Sequence, residues 1–195
     1  MRLILGLLLL TTACLGDLHW DYMIFAQQWT GTFCNFNPCI SKPVDQDFTI
    51  HGLWPTQSPE KEPTKCPAAP AFNERLLSPI MDNLRRYWPD LLSKAGPVPF
   101  WILANAGIKP NNAVLLKRDD VIQAVNNVLN VRSRLSCLQE KNKPAQLLEV
   151  RVCVDPKLEL INCNANDVED QLGDFSHGSA NAISCPSEFT FPVMN

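Results

Sequence analysis

Phe48-Thr49-Ile50-His51-Gly52-Leu53-Trp54-Pro55 is the run on which the fold turns. Aromatic, β-branched and aliphatic residues crowd it, and Pro55 lacks a backbone donor, so the spacing predicts a strand that stops at Trp54. A lone histidine inside a strand is ordinarily a packed core residue. Here the imidazole sits in the five-residue run His51-Gly52-Leu53-Trp54-Pro55, so it is not read as a lone histidine. Upstream, residues 20–29 are aromatic and apolar and read as a second strand. Residues 30–47 hold Gly, Pro, Asn, Cys34 and Cys39 and read as loop. Downstream, the Pro-rich residues 56–70 read as loop. Leu76, Leu77, Ile80, Met81, Leu84 and Tyr87 recur at helical spacing, with Pro79 interrupting early.

After the break at Gly96-Pro97-Val98-Pro99, Asp119 or Asp120 can cap a helix running to Leu129, with Val121, Ile122, Val125, Val128 and Leu129 on one face. Residues 132–138 and 147–154 read as strands, and residues 164–195 as mostly irregular. Strands and helices do not alternate regularly, so the expected class is α+β with a mainly antiparallel central sheet packed against helices. No linker or repeat divides the chain, and its 195 residues fit one domain.

Composition narrows the function. With 46% hydrophobic and 19% charged residues the chain is not of a disordered type. A formal net charge of −3 excludes a basic coat that binds nucleic acid without specificity, while leaving room for a local basic cleft. Met1-Arg2, the apolar run over 3–10 and the small-residue exit from Thr11 to Gly16 predict a signal peptide at 1–16. That run is too short to span a bilayer, and no later segment is a transmembrane candidate. The mature domain, 17–195, is therefore expected outside the cell or in the lumen of the secretory pathway. Once Cys14 leaves with the signal, Cys34, Cys39, Cys66, Cys137, Cys153, Cys163 and Cys185 remain. A secreted domain so rich in cysteine reads as disulfide-stapled, yet the number is odd. No pair has the spacing of a zinc site, so no metal and no cofactor is expected.

Further landmarks follow in order: Phe25-Ala26-Gln27-Gln28-Trp29, Tyr87-Trp88-Pro89, Phe100-Trp101 and Ala106-Gly107-Ile108-Lys109-Pro110. Near the C-terminus come Leu148-Glu149-Val150-Arg151-Val152-Cys153 and Ile161-Asn162-Cys163. Together with His-Gly-Leu-Trp-Pro these resemble the ribonuclease T2 family, the secreted acid endoribonucleases, over almost all of the mature chain. The resemblance implies that His51 is one of two catalytic histidines, the one that protonates the leaving group. It implies base-site roles for Gln28, Trp54 and Phe100, although simple packing is the plain alternative for both aromatics. It also implies disulfides Cys34–Cys39, Cys137–Cys185 and Cys153–Cys163, with Cys66 left unpaired. Thr30 and Thr56 depart from the residues common in the family at those places, which leaves base preference open.

One departure outweighs these. The family follows Phe-Trp with His-Glu-Trp-x-Lys-His-Gly-Thr-Cys, whereas here Trp101 runs directly into Ile102-Leu103-Ala104-Asn105. The second active-site motif is absent, as though a few dozen residues had been deleted near 101–103 by exon skipping or a gene-model error. The family's partner for Cys66 would lie in that piece, so the odd thiol and the absent motif point to one gap. The chemistry implied is attack of a 2′-hydroxyl on the adjacent phosphorus, giving a 2′,3′-cyclic phosphate and a 5′-hydroxyl without a metal. It needs a base, an acid and a cation for the phosphorane, and the absent motif carries the second imidazole and the cationic groups. His19 and His177 read as loop residues with no such role. The expectation is a monomeric T2-type endoribonuclease acting on single-stranded RNA, with strongly impaired activity and no membrane association. The alternatives are a non-catalytic secreted RNA-binding or storage-like protein, or a mis-spliced product.

Overall fold

Tyr22–Trp29 is buried along most of its length and is an interior strand of the sheet, lying between the strand that carries His51 and the strand Gln146–Val154. In the computed structural model, residues 20–40, 47–58, 73–88, 103, 108–164 and 180–193 are described. The strands are β1 (Tyr22–Trp29), β2 (Phe48–Thr56), β3 (Asn111–Lys117), β4 (Arg134–Glu140), β5 (Gln146–Val154), β6 (Leu160–Ile161), β7 (Ala180–Ser184) and β8 (Glu188–Phe191). The helices are α1 (Thr30–Phe36), a 3₁₀ segment Glu74–Ile80 leading into α2 (Met81–Tyr87), and α3 (Arg118–Leu129). The class is α+β. The central path runs β2-β1-β5-β4-β7, with β6 and β8 joining β5 and β3 pairing with β8. All pairings are antiparallel except the single β5–β8 contact at Gln146 and Thr190.

One sheet face is apolar and packs on α3. Val121, Ala124 and Val125 meet Leu135, Cys137, Leu147, Val150 and Val152, and Leu103 joins them. Trp29, Phe48 and Phe191 close the end of this core with ring centroids 4.6–5.9 Å apart, and the Trp29 indole donates to the Pro192 carbonyl at 2.8 Å. Offset and edge contacts of this kind suit the aromatic quadrupole, and the buried indole has its acceptor. The opposite face carries two smaller clusters. One gathers Tyr22, Ile24, Cys153, Cys163 and Trp54. The other gathers Leu138, Leu148, Phe33 and Phe36.

Several local readings change. Residues 30–36 form a helix rather than loop, because buried Thr30 and Thr32 donate from their hydroxyls to the Asp47 and Leu147 carbonyls and dock the turn on the sheet. Pro55 does not end β2, which continues to Thr56. β2 is an edge strand, where the absent donor is tolerated. α3 begins at Arg118 with no side-chain cap, and Asp119 and Asp120 occupy its first turn, where they favour the helix dipole. The C-terminal tail is less irregular than its sequence indicates. β7 and β8 are made by pairing with β4, β3 and β5, a long-range effect that local composition does not carry.

Candidate active site

His51 leaves the ladder of β2. Gly52 pairs with Ala26 and Ile50 with Gln27, so His51 is the extra residue of a β-bulge. A bulge of this kind re-aims a side chain and is frequent beside active sites. The register then decides what His51 meets. Gln28 lies opposite Glu149 and Ala26 opposite Arg151. On the next strand Ser136 lies opposite Glu149 and Arg134 opposite Arg151. Directly opposed residues share a face, so Gln28, Glu149, Arg151, Ser136 and Arg134 form a polar band between the two apolar clusters.

Glu149 reaches across β1 to the imidazole, and its Oε1 is hydrogen-bonded to His51 Nδ1. Adjacent strands lie about 4.8 Å apart, so the pair spans roughly twice that, across β1, whose residues on that face are the fully buried Ala26, opposite Arg151, and Gln28, opposite Glu149. The other carboxylate oxygen, Oε2, accepts from Arg151 Nε at 2.8 Å and from Arg151 Nη2 at 2.7 Å. The Glu149 side chain is 2% exposed and that of His51 21%. Burial is the largest influence and pushes the Glu149 carboxyl up. The Arg151 guanidinium and the His51 ring together outweigh it and hold the carboxyl below its ordinary value. The site is thus a buried carboxylate ionised between a fixed cation and an imidazole. Trp54 meets the His51 ring edge-on, with centroids 5.4 Å apart and planes at 68°.

Of the residues singled out from sequence, His51, Trp54 and Gln28 come together on one face. Trp54 is half-buried against Tyr22 and Ile24, and Gln28 is buried. Phe100, Cys66, His19 and His177 lie outside the described residues, as do the suggested signal peptide and the Trp101–Ile102 junction. Disulfides join Cys34 to Cys39, Cys137 to Cys185 and Cys153 to Cys163. Sequence reasoning assigned no role to Glu149 or Arg151. The signal was there: two charges at alternate positions inside an otherwise Val- and Leu-rich strand must share one face. Among the described residues no group of His, Cys, Asp and Glu is arranged to hold a metal ion.

The model of the Ribonuclease T2 family matches residues 20–102 and 97–163. The chain belongs to the ribonuclease T2 family. Ribonuclease Oy of Magallana gigas is 26% identical over 193 residues, covering 77% of this chain and 91% of that protein. Ribonuclease S-1 of Pyrus pyrifolia is 26% identical over 228 residues, covering 94% of this chain and 92% of its own length. That alignment has 228 positions against 195 residues here, so at least about 33 positions of the pear protein face gaps. A solved structure, RNase NT in complex with 5′-AMP, superimposes with a TM-score of 0.69 at 22% identity, covering 90% of this chain and all of that one. By family this chain is a T2-type endoribonuclease, and its fold is that of a T2 ribonuclease domain.

Proposed function

We propose that this T2-family chain binds single-stranded RNA across the Trp54–His51–Gln28 face and cleaves it slowly, with His51 as the proton donor. In the step, the RNA 2′-oxygen forms a bond to phosphorus as the bond from phosphorus to the 5′-oxygen breaks. The 5′-oxygen takes its proton from His51, and the 2′ proton passes to water. The observation that carries the reading is the bulge, which turns one imidazole out of the ladder and sets it against an ionised carboxylate. The relative solved with 5′-AMP bound supports a nucleotide as the class of ligand.

The rate should be low because the second motif is absent. Three observations support a deletion near 101–103. The family match divides into two segments that meet at 97–102, and the pear relative carries residues with no counterpart here. The apolar side chains Leu76, Ile80, Tyr87 and Trp88 also lie exposed along the 3₁₀ segment and α2, as expected of a face that has lost its cover. A lost general base lowers the rate by roughly 10²–10⁴, and lost electrostatic stabilisation of the phosphorane by a further ~10²–10³. Three disulfides support folding in an oxidising compartment, in keeping with secretion. Among the described residues no helix is long and apolar enough to cross a membrane.

The test is cleavage of single-stranded RNA by purified protein at mildly acidic pH. We expect turnover at least ~10³-fold below that of an intact T2 ribonuclease, falling further in His51→Ala. Turnover near that of the intact enzyme would overturn the claim of impairment. Tight RNA binding with no cleavage that depends on His51 would favour the second reading, a non-catalytic RNA-binding protein, which the absent motif supports.

A further inference from the structure

The His51–Glu149–Arg151 chain carries more than a location for the imidazole. We infer that Glu149 is a positioning residue for His51: it fixes the proton on Nδ1 and thereby assigns the reacting proton to Nε2. This inference rests on the proposed role of His51 and adds to it a carboxylate on another strand.

The argument starts from charge. A buried carboxylate is ordinarily driven to protonate, because burial penalises its ionised form. Glu149 is prevented from doing so by Arg151, whose Nε and Nη2 both donate to Oε2. The ionised carboxylate has acceptors only, so the hydrogen bond between Oε1 and His51 Nδ1 requires the imidazole to be the donor. In the neutral ring the proton therefore sits on Nδ1. In the imidazolium the second proton sits on Nε2, and that proton is the one transferred to a leaving oxygen. Geometry restricts the ring as well. The bulge sets its direction, the Glu149 carboxylate holds one edge and the Trp54 indole lies edge-on to it at 5.4 Å. A carboxylate that orients a histidine and stabilises its protonated form is an arrangement with established catalytic value.

The arrangement makes a specific forecast for Glu149→Gln. Arg151 can only donate, so it captures the amide oxygen of the new side chain. The amide NH₂ is then turned towards Nδ1, which must accept. The neutral ring is forced to carry its proton on Nε2, and the tautomer inverts. Loss of a merely structural contact would not invert it.

The experiment is ¹⁵N NMR of the imidazoles in the full secreted chain, with His51 assigned by its loss in His51→Gln. In wild type above the titration of the ring, Nδ1 should be the protonated nitrogen. In Glu149→Gln it should be Nε2. Cleavage is read alongside on two substrates, an RNA dinucleotide and a uridine 3′-aryl phosphate whose leaving group needs no protonation. Glu149→Gln should lower dinucleotide cleavage about 10–100-fold and leave aryl ester cleavage within a factor of about 3, as expected where an orienting partner is lost. A wild-type ring protonated on Nε2 overturns the inference even if Glu149→Gln fails to fold, and leaves the catalytic reading of His51 intact. Equal losses on both substrates also overturn it. Cleavage that does not depend on His51, including none at all, removes the catalytic reading and this role with it.

Discussion

Replacing Arg151 with methionine removes the cation that keeps Glu149 ionised while preserving much of the apolar stem. In the native fold two guanidinium donors, at 2.7 and 2.8 Å, converge on one oxygen of a carboxylate that is almost wholly buried. A hydrogen bond to a charged group contributes about 1.5–3 kcal/mol, and breaking a buried ion pair costs about 3–5 kcal/mol. Here the two donors share one oxygen and His51 still serves the other, so the expected loss at pH 7 is about 2–4 kcal/mol. For a domain of this size that lowers the melting temperature by roughly 5–15 °C. The pH dependence follows from linkage. In wild type, burial raises the Glu149 carboxyl but Arg151, with His51, brings it below its ordinary value. Its contribution is therefore complete above the unfolded-state pKa and is lost as the pH falls through the folded one. In Arg151→Met burial is opposed by His51 alone, and the carboxyl moves up. Folding then favours the protonated form, and stability is recovered as the pH is lowered. Thermal or urea unfolding of both proteins at about pH 7 and about pH 5, without reductant, should show the gap narrowing on acidification. A loss that is equal at both pH values, or under about 1 kcal/mol, would refute the account of Glu149 as a carboxylate held ionised by Arg151.

The other expectations concern packing, covalent links and the ligand face. A Cβ at Gly52 would fall within the Trp54 indole, so Gly52→Ala should displace that ring from His51, change the near-ultraviolet circular dichroism and destabilise by about 1–3 kcal/mol. An unchanged aromatic spectrum would contradict it. Removing Cys137–Cys185, which closes 48 residues of sequence, should cost about 4 kcal/mol by chain entropy, and removing Cys34–Cys39, which closes 5, about 2 kcal/mol. Denaturation midpoints in the reverse order would count against that ranking. Trp54→Ala should weaken binding of a short single-stranded RNA by about 1–3 kcal/mol if its face stacks a base. Titration with a labelled oligonucleotide that finds no change would assign Trp54 to packing alone.

How much of this was legible in the sequence depends on the range of the interaction concerned. Strands β1, β2 and β5 and helix α3 announce themselves, because runs of aromatic, β-branched and aliphatic residues, or helical spacing as at Val121 and Val125, are local features of the chain. Helix α1 does not, because its anchor is the Thr32 hydroxyl on the Leu147 carbonyl, 115 residues away. β7 and β8 also escape local reading, since their partners β4, β3 and β5 are distant in sequence. The site divides in the same way. His51 and Trp54 sit in one short motif. Glu149 and Arg151 look like two charges in a hydrophobic strand until the register aligns them with Gln28 and Ala26.

The same register explains why a T2-type domain can retain its imidazole site after losing the second motif. His51, Ala26, Glu149 and Arg151 belong to three adjacent strands, β2, β1 and β5, fixed by backbone pairing and by the α3 core beneath them. Leu103, next to the proposed deletion, is buried in the core on the α3 side rather than beside His51. What the proposed deletion removes is the groups that would face His51 across a phosphate. An orienting carboxylate cannot replace them. Glu149 is already engaged at both oxygens and is almost wholly buried, so it can hold a proton on Nδ1 but is not placed to take one from a 2′-hydroxyl. On the proposed function, acid and base are therefore separable in this fold. The strands would carry the first, the proposed deletion would take the second, and a slow rate is the expected consequence of keeping one without the other.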